Sequence, residues 1–435
     1  MYGFILKLDY FNSIIIGTMV SLYMMRQNRL KIIFASVMLL CAVHAGASSR
    51  EEPHQSGSFL PEWQKGWMDI HTIATGKGDA SFVVMPDGTT MLIDAGDVTG
   101  GRMKAPALPD DSRSPGQWIA RYISHFSKGL PHPERVDYFW LTHFHADHMG
   151  GETALKPGPY YGLCGIMEVG EYLSFGKIID RGWPTYDYPS AAYVKKFCSA
   201  TMDDYRKFVI CQKENRGTVP ECFQVGSRKQ FALLNDPKSY KKDFEVWNVA
   251  GNLQAPLPGN GKIVKRYTEF INDLGENALS CAILVRYGGF SYFNGGDLGG
   301  SPADERDMET YVADLIGQVT AIKANHHGWK DTCNPYFMWK TRPDVIIVPA
   351  SHVNHPWKAT VQRIFDPQMP GKRQMFVTCD AAREQVGEEL WKNIQPYYGH
   401  IVIRVYDGGR SYQVFVLDAY STDYCVLYKS DIEQL

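Results

Sequence analysis

The chain has 435 residues, of which 44% are hydrophobic and 13% aromatic, and its 45 Lys and Arg residues nearly balance 47 Asp and Glu residues. This composition supplies enough apolar surface for a large core and excludes an intrinsically disordered chain. A net charge of −2 excludes a protein that holds nucleic acid by overall charge alone.

The amino-terminal region predicts an export signal. Residues 25–47 contain three basic residues, an apolar run at 32–43 and an Ala-Gly-Ala sequence that ends at Ala47. This order is typical of a secretory signal peptide, and the apolar run is too short for a membrane span. We therefore expect a periplasmic or secreted protein whose mature chain has no stable membrane span.

Residues 1–24 precede a signal that is already complete without them. We interpret Met25 as the true start of the protein and residues 1–24 as a non-native leader. The alternative interpretation keeps Met1 as the start and makes the apolar stretch at residues 11–25 a short membrane anchor.

Cleavage after Ala47 would change both the charge and the cysteine count. It would remove four basic residues and one acidic residue, leaving 41 basic against 46 acidic residues and a charge of −5. Such a chain can hold long nucleic acid only through a local basic patch, so nucleic acid is not a favoured partner. Eight cysteines would remain without a C-x-x-C pair, which disfavours a structural zinc knuckle. Export would permit disulfides, with Cys198, Cys211 and Cys222 as the best candidates.

The predicted elements from residue 60 onward alternate between strands and helices. In the first half, strands are expected at 67–76 and 136–145, a hairpin at 81–97 that turns at Pro86-Asp87-Gly88, and a helix through Trp118, Ile119, Tyr122, Ile123 and Phe126. In the second half, we expect a hairpin at 278–297 with its turn at Gly288-Gly289, a helix at 303–317, strands with their loops at 319–328 and 343–352, and a closing hairpin at 399–418.

The region at 152–260 differs from both halves, because it is rich in Tyr, Gly, Pro and Lys and has no clean period. We expect an elaborated insert, with a helix near 190–213, that lies over or beside the functional site. The two strand-rich halves with helices between them predict one layered domain over residues 60–435.

Titratable side chains directly follow the predicted strands, where a rigid scaffold usually carries its functional groups. Seven of the thirteen histidines lie in three such loops. The residues concerned are Asp94, His143, His145, Asp147, His148, Asp297, His326, His327, His352 and His355.

These residue types are the ligands that zinc, manganese and iron prefer. In the His-x-His sequence of an extended segment both side chains point the same way, so His143 and His145 can hold one ion. Asp147 and His148 lie where the chain turns and can reach a second ion. The alternative interpretation of this segment is a solvated polar turn.

The ordered motifs resemble those of the metallo-β-lactamase fold. They are "THFHADH", preceded by "LIDAGD" and followed by "NGGD" and "NHHG". The stretches "TGKGDASFVVMPDGTT", "ENALSCAILVRYGGFSYF", "IKANHHGWKDT" and "NHPW" further resemble the ComEC-like branch, named for the hydrolase domain of a competence protein. The resemblance covers roughly residues 66 to 405. It implies a four-layered αββα sandwich with metal ions at one edge between the two sheets.

The resemblance also implies a ligand set for one or two divalent ions, with zinc expected first and manganese or iron as alternatives. His143 and His145 would hold one ion, and Asp147 and His148 the other. Asp297 would bridge the two ions, and His326 would complete the second site.

Other residues are expected to support these ligands. Asp94 would orient a ligating histidine from behind. The commonest family pattern has one more histidine ligand than this chain, which offers Asn277 and Ser280 in that place, so the first ion is expected to be held loosely. Asp79 in "GKGD" is a weaker site candidate, because the glycines around it also suit a tight turn.

The implied activity is hydrolysis by a metal-activated water, most directly of a phosphodiester or related ester in a small-molecule or oligomeric substrate. Asp147 would orient the water, and His327 or His355 would protonate the leaving group or hold the substrate. Alternation along an extended strand predicts that His326 faces the metals and His327 faces elsewhere. The alternatives are a lactam, lactone or thioester hydrolase of the same fold, and a non-catalytic binding protein.

Overall fold

The computed structural model of the protein describes residues 58–98, 105–151, 156–301 and 306–435. The leader and signal peptide predicted within residues 1–47 therefore lie outside the described residues. In the part of the chain that is described, no helix is long and apolar enough to cross a membrane.

The strands and helices follow one another much as the sequence predicts. The strands are β1 (Met68–Thr72), β2 (Ser81–Val84), β3 (Thr90–Ile93), β4 (Arg135–Trp140), β5 (Lys156–Pro157), β6 (Gly162–Leu163), β7 (Ser174–Asp180), β8 (Val219–Cys222), β9 (Phe244–Ala250), β10 (Gln254–Pro256), β11 (Ile263–Lys265), β12 (Ala282–Tyr287), β13 (Phe290–Asn294), β14 (Ala321–Lys323), β15 (Val345–Val348), β16 (Gln374–Val377), β17 (His400–Val405), β18 (Ser411–Leu417), β19 (Val426–Lys429) and β20 (Glu433–Gln434). The α-helices are α1 (Pro115–Phe126), α2 (Ala146–Met149), α3 (Gly165–Tyr172), α4 (Ala191–Phe197), α5 (Met202–Arg216), α6 (Glu309–Ile316), α7 (Pro335–Thr341), α8 (Lys358–Ile364), α9 (Arg383–Val386) and α10 (Glu388–Trp391).

Two mixed sheets form the centre of the protein. The first has the order β19-β18-β17-β1-β2-β3-β4-β7-β8, with β20 paired to β18. The second has the order β16-β15-β14-β13-β12-β9. Strands β3, β4 and β7 are parallel, as are β13, β14 and β15, so within each of these groups the carboxyl ends meet at one edge of the sheet.

Alternate side chains of the inner strands pack on opposite faces. In β15, Val345 and Ile347 contact the first sheet, whereas Ile346 and Val348 contact α6, α7 and α8. The opposite face of the first sheet packs on α1, α3 and α5. The order helices, sheet, sheet, helices is the four-layered αββα sandwich that the resemblance implies, and this prediction is confirmed.

Helix α1 shows how the sequence fixes one outer layer. Ser114 forms a capping box with Gln117, and Pro115 occupies the first turn, where its missing N–H carries no cost. Ile119 and Ile123 recur at helical spacing and are fully buried against the first sheet. Burying each such side chain stabilises the fold by about 1.5–3 kcal/mol.

The region expected as an insert also extends both sheets. It supplies β7 and β8 to the first sheet and β9 to an edge of the second. The predicted helix near 190–213 is two helices, because Cys198 after α4 adopts an extended conformation. Of the helix predicted at 303–317, the described residues form a helix over Glu309–Ile316, which is α6. The eight described cysteines are all free thiols, so the disulfide considered for the insert is not formed.

Candidate metal centre

Four loops meet at the edge where the two sheets face each other. Asp94 follows β3, and the segment from His143 to His148 follows β4. Asp297 follows β13, and the adjacent histidines His326 and His327 follow β14. The order of parallel strands thus gathers residues that are up to 233 positions apart in the sequence.

Asp94 organises the beginning of the histidine loop. Its carboxylate accepts hydrogen bonds from the Thr142 amide and hydroxyl, each at 2.8 Å. It also lies 2.8 Å from Nδ1 of His148. Asp94 therefore lies against Nδ1 of His148, and its role in orienting a metal ligand stays a prediction.

Asp147 is brought into place by the one-turn helix α2 and by close backbone packing. A Cβ at Gly96 would lie 1.9 Å from the Asp147 carbonyl oxygen, so only glycine fits there. The same carbonyl oxygen accepts a hydrogen bond from the Asp79 amide at 2.7 Å. The glycines of "GKGD" and "DAGD" therefore allow the β1–β2 and β3 loops to support the histidine loop.

Four side chains converge in a largely buried group, in which only Asp147 is partly exposed, at 25%. Nε2 of His148 lies 3.2 Å from Asp297 Oδ2 and 3.2 Å from Nε2 of His327. Nε2 of His327 lies 3.4 Å from Asp147 Oδ2 and 3.6 Å from Asp297 Oδ2. One donor atom from each of the four residues lies within 4.8 Å of the others. Donors about 2.0–2.2 Å from a tetrahedral ion would be separated by distances of this size.

The tautomers of His148 and His327 are fixed by hydrogen bonds at Nδ1, on the side of each ring away from the other donors. Nδ1 of His148 donates to Asp94, and Nδ1 of His327 donates to the Pro349 carbonyl at 2.9 Å. Each ring therefore presents Nε2 to the other, and two lone pairs at this distance require a proton or a cation between them. The residues present fit a divalent cation.

The charges of the four side chains also fit a divalent cation. Burial would lower the pKa of His148, but Asp297, Asp94 and Asp147 hold this pKa well above its ordinary value. Burial would raise the pKa of Asp297, but His148 and His327 hold this pKa well below its ordinary value. In the metal-free protein, the group therefore combines ionised carboxylates with a protonated histidine.

We expect metal binding near neutral pH to release about one proton, because His148 must lose its Nε2 proton before it can coordinate. Since its pKa is raised, the affinity for metal should increase with pH until the pH exceeds that pKa. Titration calorimetry in two buffers of different ionisation enthalpy measures the number of protons released. A value of zero at pH 7 would contradict this expectation.

Two further donors, His143 and His145, lie beside this group. Nε2 of His143 is 3.1 Å from Nδ1 of His145 and 3.8 Å from Asp297 Oδ2. Burial lowers the pKa of His143 well below its ordinary value, so this ring is neutral and able to coordinate. Asp297 Oδ2 therefore lies near one donor of each group, and its bridging role stays a prediction.

The structure places the adjacent histidines differently from the prediction. His327 belongs to the buried group, whereas Nε2 of His326 lies 4.0 Å from Asp297 Oδ2 and its side chain is 22% exposed. The expected alternation is wrong because the strand has already ended. Both residues have positive φ, 47° and 52°, so the turn at residues 325–328 passes through the left-handed region. His326 instead lies 3.4 Å from Asp331 Oδ1 through Nδ1.

The residues expected in place of a further histidine have supporting contacts. The Asn277 amide nitrogen lies 2.9 Å from Nε2 of His326, and the Ser280 hydroxyl accepts the Asp297 amide at 3.1 Å. The Asn277 carbonyl oxygen is buried without a hydrogen-bond partner. This loop thus orients His326 and Asp297.

Lys323, which no sequence motif marks as a site residue, is the buried cation beneath the site. Its Nζ lies 3.0 Å from Asp79 Oδ2 and 3.3 Å from Asp297 Oδ1. It also donates to the Gly296 carbonyl at 2.7 Å. Asp79 therefore acts on the group indirectly, through Lys323. The sequence feature that could have indicated this role is a single lysine at the end of the apolar strand β14.

Replacing Lys323 with Met should destabilise the metal-free protein by about 3–5 kcal/mol, because Asp79 and Asp297 would remain buried without their cation. Bound metal should offset part of this loss, since it also neutralises Asp297. Chemical denaturation with chelator and with added zinc measures both effects. Lys330→Met, at an exposed lysine seven positions away, is the control. Equal stability of the two metal-free variants would contradict the role of Lys323.

Two cavities open beside Asp147. One of about 230 Å³ is lined by Asp147, His326, Trp329, Ser351, His352 and His355. The other, of about 470 Å³, is lined by Val98, His145, Ala146, Asp147, Gly151, Phe197, Cys198, Ser199 and Ala200. The His355 ring stacks on His327 with centroids 4.5 Å apart, so His355 supports the group and also faces the smaller cavity.

Comparison with known proteins gives partial matches. No protein-family model matches the chain. Over 83 residues, or 19% of the chain, it is 34% identical to Recombination protein 2 of Haemophilus influenzae. The matched stretch spans only 10% of that relative.

The chain is also similar to solved structures. One is Tm1679, a metal-dependent hydrolase of the beta-lactamase superfamily, with 13% identity, a TM-score of 0.37, and coverage of 72% of this chain and 96% of that one. Another is the metallo-beta-lactamase fold protein YhfI from Bacillus subtilis, with 10% identity, a TM-score of 0.34, and the same coverage. The fold assignment itself rests on the layers and sheet order described above.

Proposed function

We propose that the protein is a metal-dependent hydrolase with a centre for one or two divalent ions. Asp147, His148, Asp297 and His327 would hold one ion, and His143 and His145, with Asp297 shared, would hold the other. The observation that carries this proposal is the pair of Nε2 atoms of His148 and His327, 3.2 Å apart and both oriented from behind. Zinc is expected first, because imidazole and carboxylate ligands suit it well.

The ions would lower the pKa of a coordinated water towards neutrality and make it a nucleophile. Asp147 is the carboxylate best placed to orient that water, because it borders both cavities. Burial would raise the pKa of Asp147, but His148 and His327 hold this pKa well below its ordinary value, so the carboxylate is ionised. His326 faces the smaller cavity and can meet a leaving group there.

The proposed substrate is a phosphodiester or a related ester. The support comes from the resemblance of the motifs to the ComEC-like branch and from the identity with part of a recombination protein. Nucleic acid as the natural substrate would require a local basic patch, because the predicted mature chain is acidic.

A carboxylic ester, lactone, lactam or thioester is the second candidate. The observation that favours it is the lining of the two cavities, which includes no lysine or arginine among the described residues. An anionic phosphodiester usually meets such cations in its site. A neutral substrate does not need them.

A substrate panel on the chain from residue 48 onward tests these alternatives. Metal content is measured first, and then hydrolysis of bis-p-nitrophenyl phosphate, p-nitrophenyl acetate, a lactone and nitrocefin with zinc or manganese. We expect bound metal and turnover of the phosphodiester. Turnover of the neutral substrates alone would favour the second candidate. Bound metal without any turnover would indicate a binding protein, and no bound metal would contradict the proposed function.

We also propose that the protein is exported, on the basis of the signal predicted at residues 25–47. Expression with the complete amino-terminal region should give a chain that begins near Ser48 outside the cytoplasm. N-terminal sequencing and cell fractionation measure this. Retention of residues 1–24 in the mature protein would contradict both the start at Met25 and the export.

A further inference from the structure

A buried ion pair lies directly behind the loop of His143 and His145. Arg181, which follows β7, donates from Nε to Glu276 Oε1 at 2.7 Å and from a terminal nitrogen to Glu276 Oε2 at 2.5 Å. Both side chains are buried, with 1% and 0% of their surface exposed. Neither residue borders the two cavities beside Asp147.

The pair contacts Phe144, the residue between the two histidines, in two ways. Glu276 Oε1 accepts the Phe144 backbone amide at 2.9 Å. The Arg181 guanidinium lies over the Phe144 ring, 4.5 Å from its centroid. The backbone amide and the side chain of Phe144 are therefore both fixed by the same two residues.

Further contacts join the pair to neighbouring segments. Arg181 donates to the Tyr188 carbonyl and to the Asn252 side chain, each at 3.3 Å. The Cys198 thiol lies 3.3 Å from Glu276 Oε2 and lines the larger cavity. A buried ion pair rarely stabilises a fold more than apolar residues of the same volume. Its contacts with Phe144 suggest a different role.

We propose that Arg181 and Glu276 are positioning residues, which fix the backbone at Phe144 and thereby the separation of the His143 and His145 donor atoms. Because the two histidines flank Phe144, a shift of its amide moves both rings. The proposal rests on the proposed function, since the geometry it protects is that of one ion site. Groups that orient ligands from behind typically contribute about 10–100-fold to metal affinity.

The chain offers a matched control for the loss of a buried ion pair. Arg404 donates to Asp69 from two nitrogens, at 2.8 and 2.7 Å, and both residues are also buried. The contacts of Asp69 include Arg404 and His71 and none of the proposed ligands. Asp69→Ala and Glu276→Ala therefore remove equivalent partners and leave equivalent arginines behind.

The test compares ion binding by the wild-type chain and these two variants. Equilibrium dialysis with zinc and manganese gives the affinity for each ion, and the visible spectrum of the cobalt-loaded protein reports the ligand geometry. We expect Glu276→Ala to bind one of the two ions about 10–100-fold more weakly, with an altered cobalt spectrum. Asp69→Ala should lose comparable thermal stability but keep the wild-type affinities and spectrum.

The conservative variants keep the test decisive where the alanine variants fail to fold. Glu276→Gln retains an oxygen acceptor for the Phe144 amide and should recover part of the affinity, whereas Asp69→Asn should match the wild type. Wild-type affinities and spectrum in both Glu276 variants would overturn the positioning role while leaving the proposed function intact. Parallel losses in the Glu276 and Asp69 variants would overturn it as well. A wild-type chain that binds no ion would overturn the proposed function itself.

Discussion

Replacing Asp297 with Ala should remove bound metal and lower hydrolysis by about three orders of magnitude or more, since the proposed ions would supply several kcal/mol of transition-state stabilisation. The effect is expected to be this large because Asp297 contacts both donor groups. Its Oδ2 lies 3.2 Å from His148 and 3.8 Å from His143. Metal analysis of the purified variant, followed by the rate on the best substrate of the panel, measures both losses.

The control for this prediction is Asp137→Ala. Asp137 lies on β4 and is also buried, but its carboxylate accepts hydrogen bonds from Thr90 at the other end of the strand. It should lose stability without losing metal. Full metal content in the Asp297 variant would show that the bridging assignment is wrong. Equal metal loss in both variants would point to a general loss of structure.

The fold followed from the sequence because its signals are local and repeated. The apolar strands and the "PDG" turn each specify a short segment independently of the rest of the chain, and Gly88 has the positive φ that its turn requires. The helical spacing of Trp118, Ile119, Tyr122 and Ile123 does the same for helix α1. The region at 152–260 was less well predicted, because β7 lies inside the first sheet between two parallel neighbours, so it carries no alternating pattern.

The candidate site was predictable only in its residue types. The histidine loop and Asp297 were found because ligating residues cluster after strands. Lys323 was missed because its partners Asp79 and Asp297 are distant in sequence, and a lysine alone does not reveal them. Glu276 was missed for the same reason. Long-range pairs of this kind become visible only once the two sheets are packed.

The order of His326 and His327 could not be derived from strand alternation. The extended conformation ends at Lys323, and the following turn rotates both histidines into positive φ. This turn directs His327 inward, with its Nδ1 on the Pro349 carbonyl, and leaves His326 at the edge of the smaller cavity. The two residues therefore differ in burial and in their partners, although they are neighbours in sequence.

Exchanging each of these histidines for Ala should separate their roles. His327→Ala should weaken binding of the ion shared with Asp147 and His148 strongly, because it removes one donor of that group. His326→Ala should keep that ion but lower the rate by about 10²–10⁴-fold, the range expected for a group that delivers a proton to the leaving group. Its ring lies at the edge of the smaller cavity, with Nδ1 3.4 Å from Asp331 Oδ1.

The leaving group decides between proton transfer and a purely structural role for His326. p-Nitrophenolate departs without a proton, so esters of p-nitrophenol should recover much of the rate in His326→Ala, whereas esters of simple alcohols should not. An equal loss on both classes of ester would show that His326 holds the substrate or the loop instead. Metal titrations of the two variants with zinc and manganese complete the test. If His326→Ala loses the ion and His327→Ala keeps it, the ligand is His326. That result would support the prediction from strand alternation and contradict the assignment of His327.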